Sequence, residues 1–141
     1  MRGQRVLIIG LCVAVPMLGL VPVSGASTSG AKGRFCGASK CVTIPAALAT
    51  ALSQRNDSFQ PASTPKPAPF YRITITATGE GFINRTIIWV PSRKLWYLKE
   101  YVTPTLPGYW RTENAETDAG LGRLVKMARP FAAPKHWVLP K

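Results

Sequence analysis

The chain has 141 residues, of which 18 are basic and 6 acidic, for a formal net charge of +12. A chain of this length supports one small core, since such a domain buries roughly two-thirds of its unfolded surface. Six carboxylates and one histidine, His136, leave little material for acid–base or triad chemistry. No phosphate-binding loop, dinucleotide fingerprint, EF-hand or metalloprotease pattern occurs. An enzyme is therefore not expected.

Residues 1–26 read as a secretory signal peptide. Arg2 and Arg5 give a positive start, an apolar run extends from Val6 to about Val23, and Ser24 and Ala26 are the small residues that precede a cut. Cleavage is expected after Ala26. A retained anchor is the rival reading, because about 18 apolar residues approach the length that spans a bilayer. Pro16 and Pro22 weaken a continuous helix there. The exported chain keeps a net charge of about +10, with no integral membrane span expected in it. Its location is expected to be extracellular or at the cell envelope.

Residues 27–33 are small and polar and are expected to be a flexible N-terminal segment. Residues 34–129 are expected to form a single domain. Cys12 leaves with the leader, so Cys36 and Cys41 remain in a compartment where disulfides persist. Four residues separate them, unlike the two-residue spacing of thioredoxin-like motifs. With His136 they fall short of a four-ligand zinc site, so neither metal nor cofactor is expected. A short stapled hairpin fits best, with Gly37 free to turn.

The stretch TIPAALATALSQR predicts a first helix, with Thr43 as N-cap and Pro45 near its first turn. Ile44, Leu48, Ala51 and Leu52 share one face at helical spacing. Pro61, Pro65, Pro67 and Pro69 then forbid regular pairing, and this segment is expected to wrap over the domain.

FYRITITATG alternates, with Tyr71, Ile73, Ile75 and Ala77 on one face and Arg72, Thr74, Thr76 and Thr78 on the other. That is the pattern of a half-buried antiparallel strand. FINRTIIWV carries apolar residues on both faces and predicts a strand covered on both over part of its length. LWYLKEYV is a third strand and YWRTE a short fourth, separated by turns at PSRK and TPTLPG. TDAGLGRLVKMAR predicts a second helix with Leu121, Leu124, Val125 and Ala128 as its buried stripe, ended by Pro130. Residues 130–141 show no period and are expected to form an extended C-terminal tail on the surface.

The expected fold is thus α+β: an antiparallel three- to four-stranded meander, two helices packed on one face, and one short-loop disulfide. In topology alone, a helix followed by such a meander resembles cystatin-like inhibitors. Their central-loop motif is not visible, so no residue roles carry over.

The densest aromatic and basic region runs from Trp89 to Arg111. Trp, Tyr and Arg together are the composition of binding hot spots. They are equally what a small core needs, because aromatics bury the most area per residue. Alternation sends Trp96 and Tyr97 to opposite faces, so one is expected in the core and the other is either covered by the tail or open to a partner. The candidate binding residues are Arg93, Lys94, Lys99 and Arg111 for charge, and Trp96, Tyr97 and Trp110 for packing. The expected function is that of a small secreted or envelope binding or accessory protein, meeting an anionic surface polymer or another exported protein. The alternative is an inhibitor of an exported hydrolase or protease that presents the VPSRK turn. No motif for sequence-specific nucleic-acid binding appears.

Overall fold

The computed structural model describes residues 30–54, 60–102, 106–112 and 115–141. The expected leader and its cleavage site lie outside these residues. The elements in chain order are β1 (Gly30–Cys36), β2 (Cys41–Thr43), α1 (Ala46–Ser53), β3 (Tyr71–Thr78), β4 (Asn84–Val90), β5 (Leu95–Tyr101), β6 (Tyr109–Thr112) and α2 (Ala115–Val125). A single 3-10 turn, Pro91–Arg93, joins β4 to β5.

The strands form one antiparallel sheet in the order β2-β1-β3-β4-β5-β6. The fold is α+β as expected, but the sheet has six strands rather than three or four. The added pair is the cysteine hairpin, which joins the meander instead of standing apart. β1 runs beside β3 from Gly30 opposite Thr78 to Cys36 opposite Arg72. Gly30–Gly33, expected to be flexible, are therefore ordered by a full ladder of strand pairing.

Cys36 and Cys41 face each other across β1 and β2 and are joined by the expected disulfide, S–S 1.96 Å. The loop between them grips the segment after α2. Ala38 N–H donates to Arg129 O at 2.8 Å, and Arg129 N–H donates to Ser39 Oγ at 3.1 Å. Gly37 is required by this approach, because a Cβ there would sit 1.9 Å from the Arg129 carbonyl oxygen.

Helix α1 starts one residue after Pro45, which occupies the cap position with φ −53° and ψ 140°. Thr43 belongs to β2 and does not cap the helix. The helix ends early because Gln54 turns extended and pairs with Phe82 as an isolated bridge. Both helices lie on one face of the sheet. Ala49, Leu52, Leu121 and Leu124 pack there on Phe35, Tyr71, Ile73, Ile75, Ile87, Trp89, Trp96 and Leu98. Phe35 stacks on Tyr71 with centroids 4.6 Å apart.

The opposite face is half covered. Ile88, Val90, Tyr97 and Trp110 form a second core with Ala68, flanked by Ala62, Phe70, Trp137 and Leu139. The proline-rich segment therefore wraps the domain as its composition suggested. It also lines the outer edge of β6, where Ala62 N–H donates to Trp110 O at 2.9 Å and Thr112 N–H to Gln60 O at 3.1 Å. Covering an edge strand in this way removes a template for unwanted pairing. The tail is irregular but is more than a surface coil. Phe131 and Phe70 exchange backbone hydrogen bonds of 2.8 and 3.2 Å and stack their rings at 5.1 Å. Trp137 donates from Nε1 to Pro65 O at 2.8 Å and lies 5.1 Å from the Trp110 ring.

Candidate binding surface

The aromatic and basic residues singled out from the sequence do not form one surface. Strand alternation puts Trp96 and Arg111 opposite each other on the helix-covered face. Tyr97 and Trp110 oppose each other on the other face, where the tail and proline-rich segment cover them. All four are buried, as is Lys99, whose Nζ donates to the Leu106 carbonyl. Only Arg93 and Lys94 are exposed, at the turn between β4 and β5, where Lys94 adopts φ 52°. Of the two fates open to Tyr97, the structure selects cover by the tail, reinforced by a hydrogen bond from its hydroxyl to Pro140 O at 3.5 Å.

The buried charges serve the fold. Arg85 donates from Nη2 to Glu100 Oε1 at 2.8 Å and from Nη1 to Leu52 O at 2.9 Å and Gln54 O at 2.7 Å. It therefore neutralises a buried carboxylate and places positive charge at the C-terminal end of α1, where the helix dipole favours it. Arg111 lies 5.3 Å from the Trp96 ring centroid, in cation–π range. Burial pushes the Arg111 guanidinium below its ordinary range, while the neighbouring Tyr109 opposes the shift. The cavity beside this cluster, lined by Arg85, Trp96, Arg111 and Thr117, is only ≈ 20 Å³. That volume admits nothing larger than a water-sized group.

A different surface emerges where no described segment covers the second face. β1, β3 and the start of β4 point Lys32, Arg34, Arg72, Thr74, Thr76 and Thr86 away from the helices. The register sets them in rows: Thr43, Arg34, Thr74 and Thr86 lie side by side across four strands, and Lys32 lies beside Thr76. Neighbouring strands are about 4.8 Å apart, and successive same-face residues about 6.7 Å apart. Lys32, Arg34 and Arg72 therefore step along the strand direction as a cationic stripe. Tyr101 closes one side of this face, 43% exposed, with its hydroxyl 3.3 Å from Thr86 Oγ1. Arg72 closes another, its guanidinium 6.0 Å from the Phe131 ring at the margin of the covered half.

A groove of ≈ 450 Å³ lies on this face, lined by Lys32, Gly33, Arg34, Thr43, Thr74 and Thr76. Among the described residues, the hydroxyls of Thr43, Thr74 and Thr76 and the cationic heads of Lys32 and Arg34 make no hydrogen bond or ion pair. The described carboxylates lie elsewhere: Glu80 in the β3–β4 turn, Glu100 under the helices, Asp118 on α2. The face thus combines unneutralised positive charge with free hydroxyls on paired strands.

Sequence reasoning passed over Lys32 because it took residues 27–33 to be flexible, and over Arg34 because it read the cysteine hairpin that begins there as a staple alone. The signal was present as the alternation of Lys32 and Arg34 with Ala31, Gly33 and Phe35. His136 is exposed in the tail, and among the described residues no three of His, Cys, Asp and Glu come together. No described helix is long and apolar enough to cross a membrane. The disulfide is compatible with an extracellular location. No family model, no curated protein and no solved structure matches this chain.

Proposed function

We propose that this chain is a small exported, non-enzymatic binding or accessory protein, which holds an anionic polymer at the cell envelope or outside the cell through the open half of its sheet. The supporting observation is the division of that face: one half sealed by the tail and proline-rich segment, the other presenting Lys32, Arg34 and Arg72 with no described carboxylate among them. Positive charge on a sheet surface raises the local concentration of a polyanion without needing a deep pocket. The exposed Arg93–Lys94 turn adds charge at the far end of β4 and β5.

The test is binding of poly-L-glutamate to the mature protein at low and at high salt. Affinity should fall as ionic strength rises, because exposed charges are screened over about 8–10 Å near physiological salt. K32A/R34A should lose about tenfold or more, and R93A/K94A less than about threefold. Salt-insensitive binding, or an unaltered K32A/R34A variant, would rule the reading out.

The alternative reading, an inhibitor of an exported hydrolase or protease, would use the exposed Pro91–Lys94 turn. That turn is a 3-10 turn closed by Lys94 in the left-handed region. Extended peptides that bind by strand addition have a different backbone shape. Inhibition of exported proteases at micromolar concentration, lost in R93A/K94A, would favour it over the first reading.

A further inference from the structure

The groove on the open half-sheet carries more information than its charge. A surface selected only to attract polyanions needs cations at a suitable spacing. Here the cations border a groove whose floor is mostly carbon, with threonine hydroxyls set into it. Thr43, Thr74 and Thr76 stand beside Arg34 and Lys32 in register, one strand apart, and their hydroxyls are not used inside the described protein. Each can donate one hydrogen bond and accept two. The ring of Tyr101 is exposed at the opposite margin of the same face. Aromatic faces of this kind stack on sugar rings. Hydroxyls, an exposed ring and cations spaced along the strand together match a polymer whose repeat carries both ring hydroxyls and anionic groups.

We infer that the groove lined by Lys32, Arg34, Thr43, Thr74 and Thr76 is a subsite for an acidic polysaccharide. Lys32 and Arg34 take its carboxylate, sulfate or phosphate groups, and the threonine hydroxyls take its sugar hydroxyls. The inference rests on the polyanion reading above and narrows it to one ligand chemistry. Arg34 suits the anionic group best, because its planar guanidinium can hold a carboxylate by two parallel hydrogen bonds. The volume of ≈ 450 Å³ lies within the range of small-ligand sites, so the groove would hold a short segment of a longer chain. Arg72 continues the cationic stripe beyond it toward the Phe131 margin.

The experiment compares polygalacturonate, poly-L-glutamate, polyphosphate, dextran and a single-stranded oligonucleotide as probes of the mature protein at one low salt concentration. Polygalacturonate should bind about tenfold more tightly than poly-L-glutamate of matched charge. T74V/T76V, which keeps shape and removes both hydroxyls, should lose that preference while leaving poly-L-glutamate affinity unchanged. K32A/R34A should weaken both. Thermal melts of each variant should match the parent, since these side chains are exposed. Equal affinity for polygalacturonate and poly-L-glutamate, with T74V/T76V silent, overturns the polysaccharide inference and leaves the polyanion reading standing. Tighter binding of polyphosphate or of the oligonucleotide than of polygalacturonate overturns it likewise. Absence of binding to every polyanion removes both, and binding of dextran alone shows a neutral-sugar site in place of either.

Discussion

Arg85 and Glu100 face each other across β4 and β5, and their side chains meet at 2.8 Å in a space almost closed to solvent. The same guanidinium holds the carbonyls of Leu52 and Gln54, so it ties the end of α1 to the centre of the sheet. Removing one partner of a buried ion pair leaves the other charge unmatched, at a cost of about 3–5 kcal/mol. Glu100→Ala and Arg85→Met should each lower stability on that scale in denaturant melts. Arg85→Met should be the worse of the two, because it also strands the carbonyls of Leu52 and Gln54 at the end of α1. The double variant should recover part of the loss, since no lone charge remains. Equal and additive losses would show that the two side chains act independently.

The disulfide acts on a different part of the molecule. It closes a six-residue loop, and the chain-entropy model gives such a loop about 2 kcal/mol of stabilisation. The loop also holds Arg129 through Ala38 and Ser39. Replacing both cysteines by serine should therefore cost about 2 kcal/mol in chemical melts. It should also raise hydrogen exchange at the Ala38 and Arg129 amides ahead of the rest of the sheet. Unchanged protection at those amides would separate the staple from the grip on the segment after α2.

The central strands were legible because their alternation is strong. Tyr71, Ile73 and Ile75 fall on one face and Arg72, Thr74 and Thr76 on the other, and the paired apolar faces of β4 correctly imply cover on both sides. The first half of β1 was hidden because its buried positions, Ala31 and Gly33, are small. Gly33 faces the core where Ile75 and Ile44 already fill the space, and a Cβ there would come within 2.7 Å of Ile75 Cδ1. Ahead of Phe35, a stretch whose core-facing residues are Ala31 and Gly33 carries little hydrophobic signal of its own.

That the candidate binding residues share no single surface was hidden for a related reason. Trp, Tyr and Arg signal a hot spot only if one face of the strand is free. Whether it is free depends here on Ala62, Ala68, Trp137 and Leu139, all distant in sequence from Tyr97. Cover supplied by non-local, irregular segments leaves no periodic trace near the residues it hides. The six-strand register then brings Lys32 and Arg34 beside Thr74 and Thr76, an adjacency that follows only from the pairing of β1 with β3.

The tail should behave as part of the fold. Trp137 is half-buried, hydrogen-bonded to Pro65 O and packed on Phe70 and Trp110. Trp137→Ala should cost about 2 kcal/mol, below the range for a fully buried tryptophan. Deleting residues from Lys135 onward should cost at least as much and shift tryptophan emission to longer wavelength as Trp110 is uncovered. A truncated chain with the parent's melting temperature and emission would show that the tail adds nothing to the second core.

Two phenols should make stability depend on pH in the alkaline range. Burial raises Tyr71 above its ordinary value, and burial followed by the influence of Tyr101 raises Tyr97. Each donates its proton to a carbonyl, Tyr71 to Ala128 O at 3.2 Å and Tyr97 to Pro140 O at 3.5 Å, which a phenolate cannot do. In the unfolded chain both ionise near pH 10, while the folded chain keeps them neutral to higher pH. Above about pH 10 the unfolded state thus binds fewer protons, and stability must fall as pH rises. Below that pH these groups contribute their full stabilisation and no slope. The melting temperature should be insensitive to Tyr97→Phe in its pH trend up to about pH 9, then decline less steeply than the parent through about pH 11. Tyr71→Phe should flatten the same limb and, by freeing the Ala128 carbonyl, loosen the segment that carries Arg129 and Phe131 onto the sheet. Parallel declines in parent and both variants would assign the alkaline loss to the lysines instead.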